Sequence, residues 1–315
     1  MILVLRALGV GDLVTAAPAL RGLRLAFPRR RLALAAPLWL APLAELIGGI
    51  DEVVPTAALT GPAPACTPAL AVNLHGRGPE SHLLLRATGP GHLWGFHCPQ
   101  TEHLDGPVWD PEEHEVRRWC RLLGWYGVDA DPEDLALRRP APDQVPVGVT
   151  VVHPGTKEPA KRPPASLFAE VAAELHRRGH HVVVTGSAAE RDLAERVARD
   201  AGLPPTAVLA GRTTLTDLAA LVAHARLVVG PDTGVAHLAT AYGTPSVVIF
   251  GPVPARHWGP PAHRREHRVL EGDRYQTPPD GVGAEPFGGP APGEVLAAVD
   301  EVEEAVRVRG AVATG

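Results

Sequence analysis

Short apolar runs alternate with helix-spaced stretches twice along this chain, and a proline-rich break separates the two series. The first series contains ILVLR (2–6), RLALAA (31–36), EVV (52–54) and ALAVNL (69–74). Between and after them lie LVTAAPALRGLRLAF (13–27), WLAPLAELI (39–47), PESHLLLRA (79–87) and EEHEVRRWCRLLGWYG (112–127), with apolar residues at helical spacing. The second series repeats the pattern. VTVV (149–152), HVVVTG (181–186), RLVVG (226–230) and SVVIFGP (246–252) alternate with helical stretches over 164–179, 187–202, 214–225 and 232–243. Runs this short, apolar on both faces and rich in valine, suit strands buried in a parallel sheet, with helices covering both sides. The break, LRRPAPDQVPVG (137–148), has no periodic pattern and reads as a linker. The expected class is therefore α/β, with two doubly wound parallel-sheet domains facing a central cleft. The first covers 1–140 and the second 148–290. Residues 291–315 form a helix and tail expected to pack back on the N-terminal domain. Ligands of such sheets sit outside the carboxyl ends of the strands.

A chain of 315 residues exceeds one ordinary core, consistent with two domains. Its net charge of −5 gives no broad basic footprint, so nucleic acid is not an expected partner. One basic stretch, RGLRLAFPRRR (21–31), has two readings: a solvated helix face, or a landing site for an anionic acceptor or a membrane surface. Three widely spaced cysteines, Cys66, Cys98 and Cys120, form neither a disulfide framework nor a metal-ligand pattern and fit a reducing cytoplasm. No apolar stretch reaches the roughly 18 residues that span a bilayer. The N-terminus lacks the basic segment of a signal peptide, and Asp12 would interrupt its apolar region.

Four strand-to-helix loops carry the candidate chemistry. In GPDTGVAHLATAYGTP (230–245), Asp232, Thr233 and Gly234 stand at a helix N-terminus, where unpaired N–H groups and the helix dipole favour phosphate. Thr233 is placed to cap the helix and donate a hydroxyl, and His237, four residues on, shares its face. The competing reading is a plain capped helix with a core histidine. HPGTKEPAKRP (153–163) places Gly155 and Thr156 where a loop cradles phosphate, with Lys161 as a point charge. TGSAAERD (185–192) brings Glu190 to a helix start, where a carboxylate is favourable with or without ribose hydroxyls to bind. LGVGDLV (8–14) has Val14 where a dinucleotide loop needs its third glycine, which argues against a nicotinamide enzyme. Asp12 there reads as a helix cap or as a general base. Neither a zinc-protease histidine motif nor a Walker loop is present, so neither a catalytic metal nor an NTPase is expected.

These loops, in this order, resemble glycosyltransferase family 9, the heptosyltransferases and their relatives. The resemblance is carried by VLRALGVGDLVTAAPALRGLR, LAVNLHGRG, VVHPGTKEPAKRP, PDTGVAHLATAYGTPSVVIFGP and RHWGPP, across nearly the whole chain. It implies a GT-B fold of two Rossmann-like domains, with an acceptor-binding N-terminal half and a nucleotide-sugar-binding C-terminal half. It implies inverting, metal-independent transfer of heptose or a related sugar from a nucleoside-diphosphate donor, ADP-linked above others, to a hydroxyl of a glycan, lipid-linked or small-molecule acceptor. No cofactor is implied. Carried over by motif, Asp12 resembles the acceptor-activating base. Thr156 and Lys161 resemble diphosphate contacts, and Asp232, Thr233, Gly234 and His237 the main phosphate loop. Glu190 is similar in position to a ribose-binding glutamate and Thr213 to a residue of the adenine pocket. Work in the cytoplasm follows, with peripheral attachment to the inner face of the membrane as an added expectation. The sequence departs from the family where its S-K-R-W element reads Ala160, Lys161, Arg162, Pro163, and where 272–292 lacks a Cys- and Lys-bearing segment. Three other readings remain: transfer to a small natural product, nucleotide-sugar epimerisation, and non-catalytic nucleotide-sugar binding.

Overall fold

In the computed structural model, which describes residues 1–158, 162–272 and 289–313, the chain divides into two compact units, Met1–Arg138 and Arg139–Gly315. The N-terminal unit is built from β1 (Ile2–Leu5), α1 (Val10–Thr15), α2 (Ala17–Ala26), β2 (Leu32–Ala36), α3 (Ala41–Ile47), β3 (Glu52–Pro55), β4 (Leu70–Asn73), α4 (Glu80–Arg86), β5 (His92–Trp94) and α5 (Glu115–Trp125). Its five strands are all parallel, in the order β3-β2-β1-β4-β5. β1, β2 and β4 are buried along their whole length, as their uninterrupted apolar runs require.

The single helix expected over 13–27 is two helices. α1 begins earlier, at Val10, and the chain breaks at Ala16. The reason is Pro18, which has no N–H to donate and is tolerated only in a first turn, so α2 restarts with the proline in that turn. β5 has no counterpart in the apolar pattern. It is a three-residue edge strand, partly exposed, and nothing in GHLWG demands a buried run.

The C-terminal unit contains β6 (Thr150–Val152), α6 (Ala165–Arg177), β7 (Val182–Val184), α7 (Arg191–Asp200), α8 (Leu215–Ala223), β8 (Leu227–Pro231), α9 (Gly234–Tyr242), β9 (Ser246–Phe250), α10 (Ala255–Trp258), β10 (His267–Glu271) and α11 (Pro292–Ala313). Its sheet is again all parallel, in the order β10-β9-β8-β6-β7. Gly179 ends α6 in a left-handed conformation with φ of 86° and lets the His180 N–H reach back to the Leu175 carbonyl. The core joins Val152, Phe168, Leu175, Val184, Val197 and Ile249 from sheet and helices.

α11 corrects the expectation for the tail. Its apolar face, Val295, Ala298, Val299 and Val302, is buried in the core of this same C-terminal unit. Asp300, Glu301 and Glu303 pair with Arg178, Arg268 and Arg226 of that unit. The helix thus completes the C-terminal core and does not spend that face on the N-terminal domain.

Candidate functional site

Each sheet has one place where connections diverge, and each candidate loop must be read against it. In the N-terminal unit the chain leaves β1 toward β2 on one side and leaves β4 toward β5 on the other, which opens the crevice between the carboxyl ends of β1 and β4. In the C-terminal unit the same reversal falls between β6 and β8.

At the first crevice, Arg6 directly follows β1 and is fully buried. Its Nε donates to the Asp12 carbonyl at 2.9 Å, Nη1 to the Leu74 carbonyl at 2.5 Å and Nη2 to Glu115 Oε1 at 2.9 Å. The Trp119 ring lies 4.6 Å from the guanidinium carbon. Desolvating a guanidinium costs several kcal/mol unless paired, and here the partner is Glu115, itself buried and also bonded by Arg118 and the Trp119 N–H. Asp12 stands at the rim of this network, with its side chain 30% exposed. One carboxylate oxygen, Oδ2, accepts the Gly9 N–H at 3.0 Å, so the helix-cap reading is realised. The other, Oδ1, lies 3.7 Å from Arg6 Nη2 and is the oxygen left for further chemistry. His75, after β4, takes the Ala7 N–H on Nδ1 at 3.2 Å. Burial, reinforced by Arg6 and opposed by Asp12, pushes its imidazolium down to about 4, so near pH 7 the ring is neutral and carries its proton on Nε2.

At the second crevice the chain leaving β6 runs close against the end of β8. A Cβ on Gly230 would sit 2.9 Å from the His153 carbonyl oxygen, so only glycine allows the approach. Thr233 occupies the N-cap position of α9, but its hydroxyl makes no capping bond. That corrects the expected cap: Thr233 Oγ1 is buried without a hydrogen-bond partner, and so is Asp232 Oδ1. Two such orphans side by side are uncommon, because each costs about 1–3 kcal/mol. His237 Nε2 lies 3.4 Å from Asp232 Oδ1, beyond the hydrogen-bond geometry that would satisfy it, and its ring meets the edge of Trp258 at 5.8 Å. His237 is thus directed at Asp232, a partner its helical spacing from Thr233 did not reveal. Gly234 opens α9, as the motif places it.

The other expected contacts stand on the loops that follow β6 and β7 and on the one that precedes α8. Thr156 is buried, and its hydroxyl is spent on the Glu158 carbonyl. Lys161 lies outside the described residues. Its neighbour Arg162 donates from Nη2 to the Thr156 carbonyl at 3.0 Å, while its Nε is buried without a partner. Glu190 packs against Gly155, where a Cβ would come within 2.2 Å of Oε1. Its Oε2 accepts the Ser187 N–H and hydroxyl, each at 2.8 Å. Burial works against the Glu190 charge. The Ser187 bonds, helped by the charge of Arg162, outweigh it and hold the carboxyl below its usual range. His153 is buried and kept neutral, pushed down to about 4 by desolvation, and shares a 2.9 Å hydrogen bond with Thr185. Thr213 is half-buried in the loop whose Gly211 N–H bonds the Gly186 carbonyl, so it neighbours the Glu190 loop.

The basic stretch 21–31 is mostly committed elsewhere. Arg21 binds Asp134 and the Ile47 carbonyl, Arg24 binds Asp51, and Arg31 binds Glu52. The segment also leads into the amino end of β2, away from the strand ends that hold Asp12. Arg6, Glu115, His75 and Arg162 were not singled out from sequence. The available signals were an arginine closing an otherwise apolar strand run, and a histidine at the second loop position after β4.

A sequence model of glycosyltransferase family 9 (heptosyltransferase) matches residues 108–280, more than half of the chain. The chain belongs to glycosyltransferase family 9. The segment that establishes membership contains the β6, β7 and β8 loops, whereas Asp12 and His75 lie before it. Among curated relatives, lipopolysaccharide heptosyltransferase 3 of Escherichia coli is 36% identical over 35% of this chain and 33% of its own length. Lipopolysaccharide heptosyltransferase 1 of Pseudomonas aeruginosa is 39% identical over 50% of this chain and 41% of its own length. The chain therefore spans well under half the length of these relatives in the matched segments. Of solved structures, the E. coli ADP-heptose LPS heptosyltransferase II superposes with a TM-score of 0.75 at 22% identity, covering 96% of this chain and 98% of that one. E. coli heptosyltransferase WaaC with ADP superposes at 0.70 with 18% identity, covering 96% and 99%. These likenesses show the fold: this family 9 chain has the two parallel-sheet domains of the GT-B class. Among the described residues of the family 9 chain, no helix is long and apolar enough to cross a membrane.

Proposed function

We propose that this protein is a glycosyltransferase that moves heptose or a related sugar from an ADP-linked donor to a hydroxyl of a lipopolysaccharide-type glycan acceptor, with inversion at the sugar carbon and without a metal. The single observation that carries the reading is the pair of orphaned oxygens, Thr233 Oγ1 and Asp232 Oδ1, at the start of α9 in the β6/β8 crevice. A helix N-terminus with an unspent hydroxyl suits a diphosphate. The names of the relatives, heptosyltransferases of lipopolysaccharide, support the choice of sugar and acceptor.

The chemistry follows from charge. The acceptor oxygen attacks the sugar carbon, the sugar–phosphate bond breaks, and its electrons leave with the nucleoside diphosphate. The extra negative charge is met by the α9 N-terminus, the Thr233 hydroxyl, Arg162 and Lys161, which together take the place of a metal ion. His237 Nε2, directed at Asp232 Oδ1 from 3.4 Å, is placed to offset that carboxylate against the phosphates once the donor is bound. The acceptor proton passes to Asp12 Oδ1, the oxygen not used by Gly9. Arg6, tied to Glu115, fixes Asp12 through its carbonyl and faces its carboxylate. Glu190 and Thr213 are assigned to the ribose and the base of the donor. Reactions of this kind pass through an oxocarbenium-like sugar, which a dry, closed site protects from water. We place the work in the cytoplasm, at the inner face of the membrane, where a nucleotide sugar and a lipid-linked acceptor meet.

The test is a product assay with ADP-heptose, a GDP-sugar and a UDP-sugar, each with and without lipopolysaccharide core acceptor, with and without EDTA. Release of ADP that requires both acceptor and ADP-heptose and survives EDTA supports the reading. A change of the donor sugar without acceptor, or binding without turnover, would replace it with an epimerase or a binding protein.

A further inference from the structure

The stretch RHWGPP (256–261) has no task in the mechanism above, yet it lies on the connection that leaves β9, the strand next to the one that leads into Asp232. Its first three residues end α10, a helix of four residues and too short to hold itself. Contacts from outside hold it instead. At the start of α10 the Ala255 N–H donates to Glu271 Oε1, at the end of β10, at 2.9 Å. At its close the Gly259 N–H reaches the Ala255 carbonyl at 2.6 Å, and a Cβ on Gly259 would meet that same oxygen at 2.7 Å. A little further on, Arg264 Nη1 donates to the Thr240 carbonyl of α9 at 3.2 Å. The segment is thereby tied to β10 on one side and to α9 on the other. Trp258 is the side chain this frame delivers. It is half-buried and packs on the cluster of Ala236, Val248 and Phe250. Its ring also meets the imidazole of His237, the residue after Ala236, with centroids 5.8 Å apart and planes at 61°. On its other side, His237 Nε2 faces Asp232 Oδ1 at 3.4 Å.

We propose that Trp258 is a positioning residue for the donor: its ring fixes the imidazole of His237 against Asp232 at the start of α9, and through that imidazole it sets the affinity for the nucleoside diphosphate. The inference deepens the reading of the α9 start as the diphosphate site and rests on it. A histidine side chain has several staggered χ1 wells and a broad χ2, so its ring needs a neighbour to hold one plane. Angled contacts between aromatic rings are favourable because the positive edge of one meets the negative face of the other. A ring held in place before the anion arrives loses less rotamer freedom on binding, and that saving appears as affinity. Trp258 can hold His237 in this way because α10 is itself fixed, by Glu271 at one end and by the tight Gly259 turn at the other.

The test is a double-mutant cycle on the full chain, read by calorimetric titration with ADP. The wild-type protein, Trp258→Leu, Trp258→Phe, His237→Ala and the double variant His237→Ala/Trp258→Leu are compared, with thermal melts to confirm that each is folded. Trp258→Leu is expected to weaken ADP binding about two- to tenfold, the size of one aromatic contact. Trp258→Phe, which keeps a ring, retains most of the affinity. His237→Ala weakens binding at least as much as Trp258→Leu, and adding Trp258→Leu to it changes nothing further, because the residue through which Trp258 acts is gone. Should Trp258→Leu not fold, Trp258→Met takes its place in both backgrounds, keeping much of the volume without a ring. A wild-type protein that does not bind ADP removes the diphosphate reading and this inference with it. Where the wild type binds ADP, the inference alone falls on any of four results: His237→Ala binds as tightly as the wild type, Trp258→Leu does so, Trp258→Phe loses as much as Trp258→Leu, or Trp258→Leu weakens binding by the same factor with and without His237. The last result would make Trp258 a packing residue whose effect on the site is general.

Discussion

Beside β1 and β4, a fully buried arginine spends its guanidinium on Glu115, Leu74 and Asp12, and the one carboxylate at the rim already caps its own helix. Beside β6 and β8, a buried hydroxyl and a buried carboxylate oxygen have no hydrogen-bond partner. Both places are the point of strand reversal in a parallel sheet, so the backbone offers the same crevice twice. The difference lies in how the polar groups are balanced. In the proposed mechanism Asp12 must move a proton and needs a fixed position, which the Arg6 network gives it. In the same proposal Thr233 must receive a large anion and needs unspent hydrogen-bonding capacity, which it keeps at a cost in the free protein. The lesson is that saturation and vacancy of hydrogen bonds separate a positioning frame from a receiving one, even on like topology.

The largest expected effect strains both frames together. Neutral histidines stand in each unit, half-buried His75 and buried His82 in the first, buried His153 and His267 in the second, all pushed down to about 4, chiefly by desolvation. In the unfolded chain they titrate near 6.5. The unfolded state therefore binds more protons between those values, and stability falls as pH drops from about 6.5 to about 4, with no further loss from these groups below that. Thermal melts across this window check it. A midpoint that stays level from pH 6.5 to 4 would contradict the neutral assignment.

Next comes the frame around Arg6. Glu115→Ala leaves that guanidinium buried without its carboxylate and is expected to cost about 3–5 kcal/mol. Calorimetric unfolding measures the loss, and ADP titration of the folded variant should be unchanged. A loss under about 1 kcal/mol would mean that the pair is not the frame described.

Asp12→Asn separates position from chemistry. It keeps the size of the side chain and lowers turnover by about a hundredfold or more, the scale of a lost general base, while ADP affinity holds. Full turnover in the variant would leave Asp12 as a cap alone.

The sharpest contrast uses two threonines in the same helix position. Thr233 is the N-cap of α9 and does not cap, whereas Thr214 is the N-cap of α8 and its Oγ1 accepts the Asp217 N–H at 3.1 Å. Thr233→Val is expected to weaken ADP binding about ten- to a hundredfold, one hydrogen bond to a charged group, with stability held. Thr214→Ala is expected to cost about 1 kcal/mol of stability and leave ADP binding alone. If the two substitutions behave alike, the vacancy at Thr233 has no ligand behind it.

Much of this arrangement was legible before any coordinates. The two αβ series, the glycine that ends α6, and the clustering of Asp232, Thr233 and Gly234 at a helix start are local patterns. Burial periodicity and φ preference are written residue by residue, so a strand or cap can be read where it stands. β5 and β10 were not legible, because edge strands of three and five residues that stay partly exposed carry no apolar run. The split at Ala16 was only half legible: Pro18 marked the disturbance but not which side would restart.

Alone, the sequence determined the class of the fold, the family and the residue types at each strand end, because these depend on order along the chain. Only the tertiary structure decided which charges meet. Arg6 finds Glu115 across 109 positions, His237 is directed at Asp232 rather than at Thr233, and α11 closes the core of its own unit. A buried charge or hydroxyl costs free energy until it is paired, and its partner can come from any element that packs against it. Which element that is depends on strand order and helix docking, and these emerge only when the whole core assembles.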